Sequence, residues 1–279
     1  MTLASGPELG AYFPVGVAIR LLLQDTGAVP KGGFRVLPTQ GSVENLRGLR
    51  DGTTDFAIVQ ADQALDALNG TGAFAGEGPL PDLRLVMALH EEALALVARG
   101  DSGIAGVADL AGKRLVQAPP GAGWRHLVQG IVDAADGPAA VTLVPAADDD
   151  TAAALCAGEA DAAFFFIGHP SASLVAALSR CPSRLVPVDG PAVRRLAGDT
   201  PPLTLTTIPG GLYPAQDAAV PTLGVRALVV AGRTTPDAAV TVLLKTVHDE
   251  LPMLRKLHPA LATLTAGTLK PDAGGVPLH

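Results

Sequence analysis

Basic residues are scarce and scattered in this chain of 279 residues. Twenty Lys and Arg stand against 27 Asp and Glu, a formal charge of −7, and they form neither a cluster nor an alternation with aromatics. A nucleic-acid-binding face needs such a patch to neutralise phosphates, so nucleic acid is not an expected partner. Long apolar runs are also missing: stretches such as Leu94 to Ala98 and Ala227 to Ala231 fall far short of the roughly 20 residues that a membrane-spanning helix requires. Low-complexity segments are absent too, because the 32 Gly and 24 Pro fall at turn positions, which argues against a long disordered region.

Cysteine is limited to Cys156 and Cys181, with no CxxC spacing and no His at metal-ligand distance in sequence. Two buried thiols or one disulfide both fit, the even count suiting an oxidising compartment. The six His are dispersed, and neither a Ser/His/Asp nor a Cys/His arrangement stands out. No catalytic residue, metal or cofactor is therefore expected, although constellations that assemble only in space leave an enzyme open. Met1 leads almost directly into a strand with no secretory leader, which suits a cytoplasmic protein or an exported one in mature form.

What remains is an ordinary globular composition, 48% hydrophobic and 17% charged, long enough for two domains with their own cores. Two distant stretches share one local design, a short apolar strand entering a Gly/Pro-rich loop that opens a helix: TLASGPELGAYFPVG at 2–16 and GKRLVQAPPGAGWRH at 112–126. Such a loop leaves backbone N–H groups at the positive end of a helix dipole, a setting that favours a carboxylate or phosphate.

A second unit is also duplicated. In GSVENLRGLRDGTTDFAIVQ, Ser42 is placed to cap a helix, Leu46 and Leu49 repeat on one face, Gly52 ends it, and Asp55 starts a strand running to Gln60. In DDDTAAALCAGEADAAFFFIGHP, Asp150 or Thr151 caps, Gly158 terminates, Asp161 starts the strand, and Phe166 takes the place of Gln60. Alternating elements of this kind make a doubly wound α/β sheet, with ligands outside the carboxyl ends of the strands. Strand-like runs at 83–89 and 93–98, separated by His90, Glu91 and Glu92, predict a crossover between two lobes. The long run from Leu223 to Ala231 predicts the return, with helices at about 236–251 and 252–257 completing the first lobe. The expected boundaries are 1–91 for the first part of lobe one, 92–221 for lobe two and 222–279 for the remainder of lobe one. Two crossing segments would permit hinge closure.

These motifs resemble the TAXI-type solute-binding subunit of tripartite ATP-independent periplasmic (TRAP) transporters. Ser5, Gly6, Gly10, Tyr12, Pro14, Val15 and Gly16 match the family's opening signature. GSVENLRGLRDG, DFAIVQAD, ALNGTGAF, DSGIAGVADLAGKRL, DAAFFFIGHP, IPGGLYPAQD, PTLGVRALVV, LHPAL and the final PLH follow in order along the whole chain. The resemblance implies a type II periplasmic-binding-protein fold, two doubly wound α/β lobes joined by two crossover segments with the ligand cleft between them. It also implies export with a signal peptide removed, a periplasmic location, no enzymatic activity, and delivery of a small organic acid or amino acid to a permease driven by an ion gradient. A monomer is expected, and the resemblance favours the disulfide between Cys156 and Cys181.

The chain departs from the family in both loops. Pro7, Glu8 and Leu9 replace the usual Gly-Thr-Gly, and Gly121, Ala122, Gly123 and Trp124 replace Gly-Ser-Gly-Thr; the second loop alone loses two hydroxyl donors and gains one large aromatic. The candidate ligand residues are Ser5, Glu8, Leu9, Tyr12, Ser42, Asn45, Gln60, Gly121, Ala122, Gly123, Trp124, Arg125, Phe166, Gly168 and His169. Each has a plainer alternative. Tyr12 and Trp124 could be packed core, Ser42 and Asn45 could cap a helix, Arg125 could be a surface residue as well as a bidentate partner for a carboxylate, and His169 could hold the turn before Pro170. Glu8 would repel an anion, so it either faces solvent or meets an amine. An enzyme on the same fold and an effector-binding sensor domain are the competing functional classes.

Overall fold

In the computed structural model, residues 1–117, 124–134, 140–146, 150–233, 235–269 and 275–279 are described. The elements in chain order are β1 (Thr2–Ala4), α1 (Tyr12–Asp25), β2 (Arg35–Leu37), α2 (Ser42–Arg50), β3 (Phe56–Gln60), α3 (Ala61–Asn69) and β4 (Leu83–Arg99). Then come β5 (Arg114–Val116), α4 (Arg125–Ala134), β6 (Thr142–Val144), α5 (Thr151–Cys156), β7 (Ala162–Gly168), α6 (Ala172–Ser179), β8 (Ser183–Val186) and α7 (Pro191–Asp199). The chain finishes with β9 (Thr204–Ile208), β10 (Val220–Gly232), α8 (Asp237–Asp249), α9 (Leu251–Leu257) and α10 (Ala266–Leu269). Two compact units result: Met1–Glu91 with Val225–His279, and Glu92–Gly224.

In the first unit β1 lies between β2 and β3, parallel to both, and β10 pairs antiparallel with β3. Helix α1 keeps Val15, Ile19, Leu22 and Leu23 on one buried face, the 3.6-residue period seen in the sequence. That face packs with Leu3, Phe56, Ile58, Ala227 and Val229 from the strands and with Leu243, Val247 and Leu254 from α8 and α9. Gly16 permits the close approach, since a Cβ there would sit 2.9 Å from Val36 Cγ1 and 3.3 Å from Leu3 Cδ2. In the second unit β5 lies between β6 and β7, parallel to both, and β7 and β8 each pair antiparallel with β4. Its core draws Val97, Val116, Leu155, Ala163, Phe165, Leu174, Ile208 and Tyr213 together.

The duplicated design reaches down to single hydrogen bonds. Asp55 accepts the backbone N–H of Thr2 (2.7 Å) through Oδ2, and Asp161 accepts that of Arg114 (2.9 Å) through Oδ2. Leu3 then pairs with Phe56 as Leu115 pairs with Ala162. Ser5 N–H donates to Leu37 O (3.0 Å) as Gln117 N–H donates to Val144 O (2.7 Å). Each carboxylate thus sets the register of a parallel pair at its first residue.

Two local expectations are corrected. His90, Glu91 and Glu92 do not separate two strands; they continue β4, with His90 and Glu92 buried and Glu91 exposed, the two-residue alternation of a strand. Ser42 does not cap α2. Gly41, at φ 115°, is the N-cap, Ser42 is the first helical residue, and its hydroxyl oxygen accepts the backbone N–H of Gln60 (3.0 Å). Asp150 does cap α5, Oδ1 accepting from Ala153 N–H (3.0 Å), and Gly52 and Gly158 follow their helices at φ 68° and 73°.

Candidate ligand-binding site

At the carboxyl edge of the first sheet, three chain segments meet: the loop after β1, the start of α2 and the end of β3. Asn45 ties them together. Its Nδ2 donates to Ser5 O (2.5 Å) and to Ile58 O (2.7 Å), and its Oδ1 accepts from Thr39 Oγ1 (2.6 Å). Thr39 Oγ1 in turn accepts from Gly41 N–H (3.2 Å), and Ser5 Oγ donates to Leu37 O (2.7 Å). Both Asn45 amide protons and the Ser5 hydroxyl proton are therefore spent on the protein's own carbonyls, in fully buried positions. These two residues shape the edge from behind rather than presenting donors.

Tyr12 opens α1 behind that edge and meets the ring of His90 edge-on, with centroids 6.1 Å apart. It is buried, as are Ser42 and Gln60. Gly6 packs closely on this residue, since a Cβ there would lie 3.2 Å from Tyr12 Cβ. Glu8 faces outward, one of the two alternatives its charge allowed, and Leu9 beside it is 74% exposed.

At the carboxyl edge of the second sheet, Phe166 and Gly168 end β7 in buried positions. His169 follows, and its ring closes a chain of hydrogen bonds. Nε2 lies 3.0 Å from Ala93 O and Nδ1 lies 2.6 Å from the Tyr213 hydroxyl, which also accepts Ser171 N–H (3.0 Å). A carbonyl can only accept, so Nε2 carries a proton and donates it to Ala93 O. Burial pushes the Tyr213 phenol up to about 12, so the hydroxyl keeps its proton. Tyr213 lies within IPGGLYPAQD but carries no local signal of this role, since its partners are 42 and 44 residues away.

Trp124 is half-buried in the turn before α4, and Arg125, the first residue of that helix, is exposed. Gly121, Ala122 and Gly123 lie outside the described residues. Cys156, the last residue of α5, is bonded to Cys181 (S–S 2.10 Å), just after α6. Among the described residues no cluster of His, Cys, Asp or Glu could hold a metal ion, and no helix is long and apolar enough to cross a membrane.

Solved structures share this architecture at low sequence identity. A provisional L-cystine ABC transporter protein from Listeria monocytogenes aligns over 94% of this chain and 96% of its own, with 14% identity and a TM-score of 0.54. An ancestral arginine-binding protein bound to arginine aligns over 94% and 97%, with 13% identity and a TM-score of 0.54. The periplasmic aliphatic sulphonate binding protein SsuA from Escherichia coli aligns over 94% and 81%, with 16% identity and a TM-score of 0.51. The chain accordingly has the mixed α/β type II periplasmic-binding-protein fold. The NMT1-like family model matches residues 3–279, and the chain belongs to that family.

Proposed function

We propose that this protein is an extracytoplasmic solute receptor of the TAXI type, which binds a small organic acid or amino acid without covalent chemistry and delivers it to a TRAP permease. The observation that carries this reading is the duplicated sheet edge: in each unit a loop, a helix start and a strand end converge, and polar groups are held there by buried side chains. Edges of this kind are where open α/β sheets take their ligands. Membership of the NMT1-like family supports it, as do fold neighbours named for arginine and sulphonate binding.

In this reading the backbone of the loop after β1 and the loop leading to Trp124, with Arg125, take the acidic group. Gln60 and Ser42 meet polar parts of the ligand, and Tyr12, Phe166 and Trp124 its apolar faces. Leu9, where the resembled family has Gly, and Trp124, where it has Thr, favour a ligand with a branched chain or ring over a small dicarboxylate. Asn45 and Ser5 act as positioning residues.

Ligand released from the purified protein and identified by mass spectrometry tests this directly, followed by calorimetry against amino acids, dicarboxylates, aromatic acids and sulfonates. The expected result is one tight, intact acid or amino acid. Conversion of that compound during prolonged incubation would overturn the receptor in favour of an enzyme.

A further inference from the structure

Ser171 stands between β7 and α6 and is only 6% exposed. Its hydroxyl is buried and, among the described residues, has no hydrogen-bond partner. Serine at a helix N-cap ordinarily turns its oxygen onto the N–H groups of the first turn. Here the backbone is extended (φ −124°, ψ 136°) and the side chain caps nothing. Burying a hydroxyl without a partner carries a desolvation penalty that folding does not recover.

The residue is nevertheless held with care. Its backbone N–H is fixed by the Tyr213 hydroxyl (3.0 Å), and Tyr213 is fixed in turn by the ring of His169, which is anchored on Ala93 O. The position also matters. Helix α6 follows β7 in the second unit as α3 follows β3 in the first, so Ser171 lies at the carboxyl edge of its sheet, at the positive end of an eight-residue helix. An unspent donor at such a point is suited to an acidic oxygen, which would accept the hydroxyl proton while the helix dipole offsets its charge.

We propose that Ser171 is a ligand-binding residue that donates its hydroxyl to a carboxylate or sulfonate oxygen of the ligand, with Tyr213 and His169 as its positioning residues. This assignment rests on the reading of the protein as a small-acid receptor. It requires Ser171 to serve binding at the expense of the free protein's stability, a signature that a structural serine does not have.

The test uses the full chain as wild type, Ser171→Ala and Ser171→Thr, titrated calorimetrically with L-glutamate, L-leucine, benzoate and ethanesulfonate, with thermal melting of each free protein. The carboxylates and the sulfonate distinguish the two acid groups. Whichever compound binds the wild type should bind Ser171→Ala about tenfold or more weakly, the loss expected for a hydrogen bond to a charged group. Ser171→Thr, which keeps the hydroxyl, should retain most of the affinity, and free Ser171→Ala should melt at or above the wild-type temperature. Unchanged affinity in Ser171→Ala, equal loss in Ser171→Thr, or a lowered melting temperature alongside weaker binding would each overturn the assignment while leaving the receptor reading intact. Wild-type protein that binds none of the four would overturn small-acid recognition itself, and Ser171 with it.

Discussion

Asn45 shows how much of a sheet edge one buried side chain can hold together. Its amide joins Ser5, Ile58 and Thr39, which belong to three separate segments of the chain. Asn45→Ala would strand two buried carbonyls and a hydroxyl, so a loss of about 3 kcal/mol in unfolding free energy is expected by denaturant titration. A loss within ~0.5 kcal/mol, the range of an ordinary surface change, would show that water replaces the amide. In the sequence, Asn45 reads as a helix-start residue with ligand potential, because its spacing from Ser42 is visible and its partners 13 and 40 residues away are not. The cap of α2 is off by one residue in the sequence for a related reason: Gly41 takes it, and the Ser42 hydroxyl accepts from a strand N–H 18 residues downstream. Tyr213 and Ser171 could not be singled out at all, since their meeting depends on β7 and the segment after β9 arriving at one place.

Single elements were far more legible. The Gly-to-Asp spacing of three residues, Gly52 to Asp55 and Gly158 to Asp161, identifies a helix end and a strand start in both units, because a left-handed glycine and a register-setting carboxylate are local requirements. The polar triplet in β4 was the weak point: charge within a strand reads as a break unless burial on alternate residues is known. The two register carboxylates differ in one respect. Asp161 also pairs with the Arg114 guanidinium (2.7 Å), and that hydrogen bond, outweighing partial burial, holds its carboxyl below the usual range. The folded state thus resists protonation more than the unfolded chain does, so the stabilisation is complete above the ordinary carboxylate pKa and is lost as pH falls through the depressed one. Asp161→Asn is expected to lower thermal stability at neutral pH, with the difference from wild type closing as the pH drops below about 4. A difference that persists undiminished in acid would assign the effect to geometry rather than charge.

For the molecule as a whole, the disulfide concerns one unit only. Cys156 and Cys181 both lie in 92–224 and close a loop of 25 residues, for which the chain-entropy relation gives about 3.5 kcal/mol. Reduction, or paired Cys→Ser substitution, should lower hydrogen-exchange protection in 92–224 while amides of β1, β3 and α1 keep theirs; equal loss in both units would show that they unfold as one. The way the chain crosses between units has a further consequence, for the order in which the protein can be made. The unit spanning 92–224 is continuous, whereas the unit that begins at Met1 lacks β10, α8 and α9 until the last quarter of the chain has left the ribosome. Leu3, Val15 and Ile19 must wait for Leu243, Val247 and Leu254 to cover them. Vectorial synthesis therefore completes the middle of this protein before its beginning, and the apolar face of α1 is the surface that a chaperone or export factor would meet in the interval.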